Sequence, residues 1–214
     1  MRLLRLIALA GWAACTAAPA AEPIRIGVSG PFTGGSSPMG ISMRDGIRVA
    51  AAQINASGGL LGRPVQLVER DDQARNELGA QVARELVVKE KIVAGVGIVN
   101  TGVALASQRV YQEARIPMIT AVATGTIVTR QFQPPRHPEN FIFRISASDS
   151  IQAAMIVEEA VERRRFRKLA ILADSTNYGQ LGREDLERAL EKKGVRPVAV
   201  EKFNIRDVDM TRQL

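Results

Sequence analysis

The stretch IRIGVSGPFTGGSSPMG, residues 24–40, decides the fold of this chain. It reads as an apolar strand that runs into a wide loop of glycine and serine. A helical segment follows to Asn55, and Gly58 and Gly59 predict its end because glycine accepts the left-handed backbone of a helix C terminus. The segment RPVQLVERDD, residues 63–72, then reads as a second strand ending in acids. Ligands of open α/β sheets bind outside the carboxyl ends of the strands, so this arrangement predicts a small-molecule site.

The same alternation of short apolar runs and amphipathic helices continues along the chain, which is typical of a parallel sheet with helices on both faces. The pattern predicts strands at residues 24–29, 64–69, 92–97 and 117–120. Apolar residues at helical spacing predict the buried faces of the first two helices. These residues are Met43, Ile47, Ala50 and Ile54 in the first helix and Leu78, Val82 and Leu86 in the second.

A proline-rich stretch at residues 133–138 interrupts this rhythm, because proline neither continues a helix nor joins the interior of a sheet. A new series follows, with strands predicted at 141–145, 168–173 and 195–203 and helices at 149–165 and 179–193. Asp149 and Ser150 indicate one helix start, Gly194 indicates a helix end, and Asp209 indicates the start of another helix. We therefore expect an N-terminal lobe at 21–144 and a partial, truncated C-terminal lobe at 145–214.

The first twenty residues are typical of a signal peptide. Arg2 precedes an apolar stretch at 3–14 and Arg5 lies near its start, and residues 18–20 (Ala-Pro-Ala) are small enough for signal peptidase. The run is shorter than the ~20 residues that cross a bilayer, so we predict export to the periplasm. Cys15 leaves open an alternative, a lipid-attached cysteine. Since it is the only cysteine, a chain cleaved before Ala21 would have no disulfide or thiol chemistry.

Composition is that of a globular protein: 214 residues, 46% hydrophobic, 24% charged, with a net charge of +7. The densest basic cluster is Arg163, Arg164, Arg165, Arg167 and Lys168. It lies at the carboxyl end of a predicted helix, where cations complement the helix dipole. Because no known DNA-binding motif accompanies it, we interpret it as a solvated helix end and expect no nucleic-acid partner.

Three loops rich in glycine and hydroxyl residues follow strands of the predicted N-terminal sheet, at 30–40, 98–102 and 121–126. Asn100 or Thr101 is predicted to cap the helix that runs to Glu113, which directs backbone N–H groups and a hydroxyl to one point. Such a helix start predicts a carboxylate or phosphate site. The alternative is that Thr101 only caps its helix.

An enzyme finds little support in the sequence. The segment GVGIVN, residues 95–100, lacks the third glycine of a dinucleotide fingerprint, and no Gly-x-Ser-x-Gly nucleophile elbow is present. His137, the only histidine, falls in the proline-rich loop and is expected at the surface. We predict no catalytic residue, no metal and no cofactor.

Six segments together resemble the periplasmic binding proteins for branched-chain amino acids, the type I solute receptors of ABC importers. They are RIGVSGPFTG (25–34), AAQINASGG (51–59), VERDD (68–72), NTGVALA (100–106), IPMIT (116–120) and DSTNYG (174–179). The resemblance runs from Ile24 to the last residue. It implies a two-lobed protein that closes on an amino acid or related acid, is a monomer when full length, and delivers the ligand to a permease in the inner membrane.

The resemblance also implies the site residues. Asn100, Thr101 and Gly102 would meet the ligand carboxylate at the helix start, and the loop with Ala123 and Thr124 would offer a carbonyl to the ammonium and a hydroxyl to the carboxylate. Tyr178 would cover the ligand from the second lobe, although its strand-end position also fits a tyrosine packed on the sheet. Met39 stands where relatives often have an aromatic residue.

A sensory domain of the same fold, belonging to a receptor or a regulator, is the alternative function.

Overall fold

The computed structural model describes residues 22–213. Its larger sheet has five parallel strands in the order β2-β1-β3-β4-β5. The strands are β1 (Ile24–Gly30), β2 (Val65–Asp71), β3 (Ala94–Gly97), β4 (Met118–Thr120) and β5 (Ile142–Arg144). The four strands predicted for this lobe are confirmed to within about two residues. Because the chain runs outward from β1 on one side and from β3 on the other, the topological switch point lies between these two strands.

Four helices connect the strands. They are α1 (Ser37–Ala56), α2 (Asn76–Arg84), which continues as a π-helical turn at Glu85–Lys89, α3 (Thr101–Ala114) and the short α4 (Ile127–Arg130). Crossovers between parallel strands are right-handed, so α1 lies on one face of the sheet and α2 and α3 lie on the other. The core fills the space between the sheet and the α2–α3 pair. Its buried side chains include Val82, Leu86, Val103, Tyr111, Met118 and Ile142.

The buried face predicted for α2 is confirmed, but that of α1 is partly wrong. Met43, Ile47 and Ile54 are half-buried, whereas Ala50 is exposed and Ala51 is buried in its place. Ala51 lies four residues after Ile47 and three before Ile54, which places it on the same face of the helix. On the first turn, Gly40 is buried against Pro31, and a Cβ there would overlap the Pro31 carbonyl.

Strand β5 corrects the prediction that residues 141–145 open a new series. It pairs in parallel with β4, with Met118 opposite Ile142 and Thr120 opposite Arg144. The connection between the two strands holds α4 and returns to the same sheet because Val128 and Phe132 are buried in its core. Apolar side chains on either side of the proline-rich stretch therefore keep this region in the N-terminal lobe.

The second lobe contains α5 (Asp149–Val157), which continues as a π-helical turn at Glu158–Arg163, then β6 (Ala170–Asp174), α6 (Asn177–Glu191) and β7 (Ala199–Phe203). Strands β6 and β7 are parallel, and the helices cover a small core of Val157, Val161, Ile171, Leu190 and Val195. The fold is α/β, with helices flanking parallel sheets in two lobes.

Most helix ends lie where the sequence predicts them. Gly58, Gly59 and Gly194 adopt positive φ after α1 and α6, as predicted. The cap of α5, however, is Ser148, whose hydroxyl accepts the N–H of Ile151 at 3.4 Å, rather than Asp149 or Ser150. The helix predicted at Asp209 is also wrong. Its carboxylate accepts the Thr211 N–H at 2.9 Å and holds a turn instead.

The basic cluster at the end of α5 is exposed, as predicted. Arg163 and Arg164 form ion pairs with Glu158 and Glu159 one turn earlier on the same helix. Among residues 22–213, no helix combines the length and apolar character needed to cross a bilayer. The predicted signal peptide at 1–20 and Cys15 lie outside the described residues.

Candidate ligand-binding cleft

The loops that leave β1 and β3 meet at the switch point of the larger sheet. The Nδ2 group of Asn100 donates a hydrogen bond of 3.3 Å to the hydroxyl oxygen of Ser36. The backbones of the two segments lie close together here, since the Ile98 N–H after β3 donates to the Ser29 carbonyl in β1 at 2.7 Å. Gly97 has a φ of +136°, and a Cβ at this position would overlap the Ser29 oxygen. Glycine permits both the positive φ and the close approach.

The start of α3 has buried polar atoms that make no hydrogen bond within the described residues. Asn100 occupies the N-cap position and Thr101 is the first helical residue, but neither side chain makes a capping hydrogen bond. Thr101 is only 2% exposed, and its hydroxyl has no hydrogen-bond partner within the described residues. The Oδ1 atom of Asn100 is also buried and accepts no hydrogen bond from the described residues. The alternative in which Thr101 only caps its helix is therefore wrong.

Three helices begin near this point. A Cβ on Gly102 would lie 2.5 Å from Asn76 Oδ1 and 2.7 Å from Asn177 Oδ1. Asn76 is the first residue of α2 and Asn177 is the first residue of α6, which belongs to the second lobe. Helix N termini carry partial positive charge and free N–H groups, so their convergence favours an anion.

The loop at 121–126 lies against the same helix start. A Cβ on Gly125 would fall 2.5 Å from the Thr101 Cγ2 methyl group, so Gly125 lets this loop approach Thr101 closely. Ala123 is buried and Thr124 is half-buried. The predicted residues Asn100, Thr101, Gly102 and the 123–125 segment are thus brought together.

The carbonyl groups of this loop are already engaged. Thr124 O accepts the N–H of Asp149 at 2.9 Å and Arg144 Nη1 at 3.0 Å. Ala123 O accepts the hydroxyl of Ser146 at 3.2 Å. A carbonyl oxygen has two lone pairs, so an ammonium contact at Thr124 O competes with these donors. The Thr126 hydroxyl at the end of the loop is also occupied, because it donates a hydrogen bond to Asp185 at 2.8 Å.

Met39 and Tyr178 lie at the periphery. Met39 is on the first turn of α1 and 54% exposed. Tyr178, on the first turn of α6, is 53% exposed, which contradicts the alternative of a tyrosine packed on the sheet. It follows Asn177 directly, the residue that contacts the α3 start across the lobes.

Several polar residues of this region were missed by the sequence reasoning. Asp71 ends β2 and binds the loop that leaves β1, and Thr126, Asp149 and Asp185 form a polar junction between the lobes. Burial raises the pKa of Asp149, as does the charge of Asp185, while a hydrogen bond from Thr124 and the charge of Arg144 oppose the rise. The Asp-Asp pair at the end of a strand was the one available sequence signal.

A family model described as periplasmic binding protein matches residues 23–214. The chain belongs to the periplasmic binding protein family. Its parallel sheets flanked by helices match the fold of type I periplasmic binding protein structures.

Relatives and solved structures agree with this membership. The chain is 34% identical over 177 residues to an amino acid binding protein of Pseudomonas aeruginosa, covering 82% of this chain and 46% of the relative. It is 30% identical over 211 residues to the Leu/Ile/Val-binding protein homolog 3 of Brucella melitensis, covering 99% of this chain and 55% of that protein. It spans about half the length of these relatives.

Among solved structures, a periplasmic binding protein type 1 from Bordetella pertussis superimposes with a TM-score of 0.79 at 27% identity, covering 89% of this chain and 51% of that chain. The branched-chain amino acid transporter substrate binding protein LivJ from Streptococcus pneumoniae, in complex with isoleucine, gives a TM-score of 0.77 at 24% identity, covering 90% and 53%. The second comparison shows the fold alone.

Proposed function

We propose that this protein is the extracytoplasmic solute-binding component of an ABC importer and captures a branched-chain or related amino acid between its two lobes. The observation that carries the proposal is the Thr101 hydroxyl, which is buried at the start of α3 without a partner. Leaving a buried hydroxyl unpaired costs about 1–3 kcal/mol. A ligand carboxylate would supply the missing acceptor.

The charge of the cleft supports an acidic group in the ligand. The free N–H groups at the start of α3 lie next to Thr101, and the starts of α2 and α6 lie close by. The names of the relatives from Pseudomonas and Brucella support an amino acid as the class of ligand. Delivery to a permease in the inner membrane and location in the periplasm belong to the same proposal.

The site residues proposed for this role are Met39, Asn100, Thr101, Gly102, Ala123, Thr124 and Tyr178. Thr101, Thr124 and the N–H groups that follow Asn100 bind the carboxylate. Gly102 leaves room for Asn76 and Asn177 at the helix start. Tyr178 and Met39, which are both exposed, contact the ligand only when the lobes close on it. The role is binding without turnover.

Calorimetry with the protein purified from its native host tests the proposal. The panel contains leucine, isoleucine, valine, polar and acidic amino acids, their amides and small carboxylates. We expect a carboxylate-bearing amino acid to bind and to be recovered chemically unchanged. Thr101→Val removes a hydrogen bond to a charged group, about 1.5–3 kcal/mol, which weakens binding roughly ten- to a hundred-fold.

Thr129→Val on the short helix α4 is the matched control, because it makes the same change outside the cleft. Equal affinity of the parent and Thr101→Val, or binding of the amides as tightly as the acids, would contradict the proposed site.

A further inference from the structure

Asp71, the last residue of β2, binds the loop that leaves the neighbouring strand β1. Its Oδ1 atom accepts the N–H of Phe32 at 2.8 Å and that of Gln73 at 2.9 Å. Its Oδ2 atom accepts the hydroxyl of Thr33 at 2.6 Å. Hydrogen bonds to a charged carboxylate are shorter and stronger than those between neutral groups. Asp71 therefore holds two consecutive residues of the first cleft loop.

This loop needs an external anchor. Gly34, with a φ of +81°, and Gly35 follow Thr33, and a Cβ at either position would meet no atom within 4 Å. Two consecutive glycines without packing neighbours leave the loop with little stiffness of its own. The hydrogen bonds from Phe32 and Thr33 to Asp71 come directly before this glycine pair and fix its first end.

The other end of the loop reaches the ligand site. Ser36, the N-cap residue of α1, accepts the hydrogen bond from Asn100 at 3.3 Å. Asn100 is the N-cap residue of α3, and its carbonyl accepts the N–H of Ala104 at 3.0 Å, which is the first turn of the helix. The backbone between the two ends is closed by a hydrogen bond of 3.1 Å from the Ser37 N–H to the Gly34 carbonyl. Asp71 is thus connected through the short loop from Thr33 to Ser36 with Asn100, the residue before Thr101.

We propose that Asp71 is a positioning residue for the ligand site: its carboxylate fixes the first loop, and the loop fixes the start of α3 through Ser36 and Asn100. The inference rests on the proposed function, because the α3 start is the carboxylate site proposed above. Asp71 itself does not touch the ligand.

The ionisation of Asp71 agrees with this role. Partial burial raises its pKa, but the hydrogen bonds from Thr33, Gln73 and Phe32 together outweigh burial, so the pKa lies below its ordinary value. The carboxylate is therefore charged at neutral pH and accepts hydrogen bonds at full strength. Its neighbour Asp72 is different. It accepts the Ser29 hydroxyl and the Ala74 N–H and takes no part in the loop contacts.

Amide hydrogen exchange without any ligand tests the inference directly. We compare the parent with Asp71→Ala, which removes all three bonds, and Asp71→Asn, which keeps an acceptor for the two backbone N–H groups. The expected result is at least tenfold faster exchange at Phe32 and at Ala104 in Asp71→Ala, with partial recovery in Asp71→Asn. The N–H of Val28 in the centre of the sheet should keep its protection.

Two results would overturn the proposal. Faster exchange at Phe32 with no change at Ala104 would confine Asp71 to the loop. Equal loss of protection at Val28 would make Asp71 a determinant of overall stability. If Asp71→Ala does not fold, Asp71→Asn and Thr33→Val serve in its place. Asp45→Asn, which changes an exposed carboxylate on α1, is the matched control and should leave the N–H groups of Phe32 and Ala104 as in the parent.

A titration with L-leucine forms the second arm. We expect Asp71→Asn and Thr33→Val each to weaken binding by about tenfold, and the double variant to be little weaker than either, because the two changes break the same contact. Additive losses would contradict the contact as the cause. If the parent protein does not bind L-leucine or any other member of the panel, the proposed function fails, while the exchange experiment still decides the role of Asp71.

Discussion

The Thr126 hydroxyl donates a hydrogen bond of 2.8 Å to Oδ2 of Asp185 and so connects the N-terminal lobe to α6 of the second lobe. The same hydroxyl accepts the N–H of Ser150 at 3.0 Å, at the start of α5. The other oxygen of Asp185 accepts Arg188 Nη2 at 2.7 Å, so this buried carboxylate is paired. Thr126 is the last residue of the loop at 121–126, so these hydrogen bonds connect the loop to both helices of the second lobe.

Thr126→Val tests the strength of the junction. The change removes one hydrogen bond to a charged group and leaves Arg188 as the remaining partner of Asp185. We expect the free energy of unfolding to fall by about 1.5–3 kcal/mol, as measured by urea denaturation. Thr129→Val, one turn further along, should change it by much less. Equal effects of the two variants would show that the hydrogen bond between Thr126 and Asp185 contributes nothing to the free energy of unfolding.

Asp149 predicts a pH dependence with a definite sign. Its pKa in the folded protein is raised, first by burial and then by the charge of Asp185, against the opposing effects of Thr124 and Arg144. The folded state therefore binds this proton more tightly than the unfolded state, whose carboxyl titrates near 3.8. It follows that this group's contribution to stability is full below pH 3.8 and is lost as the pH rises through the raised pKa.

Asp149→Asn removes this contribution to the pH dependence. We expect the variant to gain stability relative to the parent between about pH 4 and neutral pH, as measured by differential scanning calorimetry at matched ionic strength. A stability difference that stays constant, or that shrinks as the pH rises, would contradict a raised pKa.

The strands of the N-terminal lobe could be predicted from the sequence because each is a short apolar run followed by a glycine, hydroxyl or acidic residue. The assignment of residues 141–145 to a new series failed for a physical reason. The proline-rich stretch interrupts the alternation of strands and helices in the sequence. The burial of Val128 and Phe132 returns the chain to the same sheet, and this burial depends on tertiary contacts.

The site was predictable only in part. Thr101 was found because a hydroxyl residue at the start of a helix after a strand is a local pattern. The Thr101 hydroxyl has no hydrogen-bond partner in the described residues, which favours a role in ligand binding over a role as a helix cap. This property depends on the folded structure around the hydroxyl. The roles of Asp71 and Thr126 involve residues that are 38 and 59 positions away in sequence, and such contacts have no local pattern.

Gly97 is predicted to be intolerant of a side chain. Its positive φ disfavours any other residue, and a Cβ would overlap the Ser29 oxygen. Gly97→Ala should therefore destabilise the protein by more than about 1 kcal/mol. Gly46→Ala is the matched control, because Gly46 lies in the exposed middle of α1 with no atom within 4 Å of a Cβ. That change should stabilise the protein by about 0.5–1 kcal/mol, and thermal unfolding of both variants checks the opposite signs.

The stability of the protein without ligand is expected to respond differently to Thr101→Val and to Thr124→Val. The Thr101 hydroxyl is buried without a partner, so Thr101→Val removes an unsatisfied group and should raise the free energy of unfolding by about 1 kcal/mol. The Thr124 side chain is half-buried, so Thr124→Val should leave the free energy of unfolding nearly unchanged. Both variants should lose affinity for a carboxylate ligand. Chemical denaturation of the ligand-free proteins gives the stabilities, and calorimetry gives the affinities. If the Thr101 hydroxyl binds the ligand at the expense of stability, Thr101→Val should stabilise the protein and weaken binding. If it is a helix cap, the free energy of unfolding should fall by about 1 kcal/mol and binding should not change.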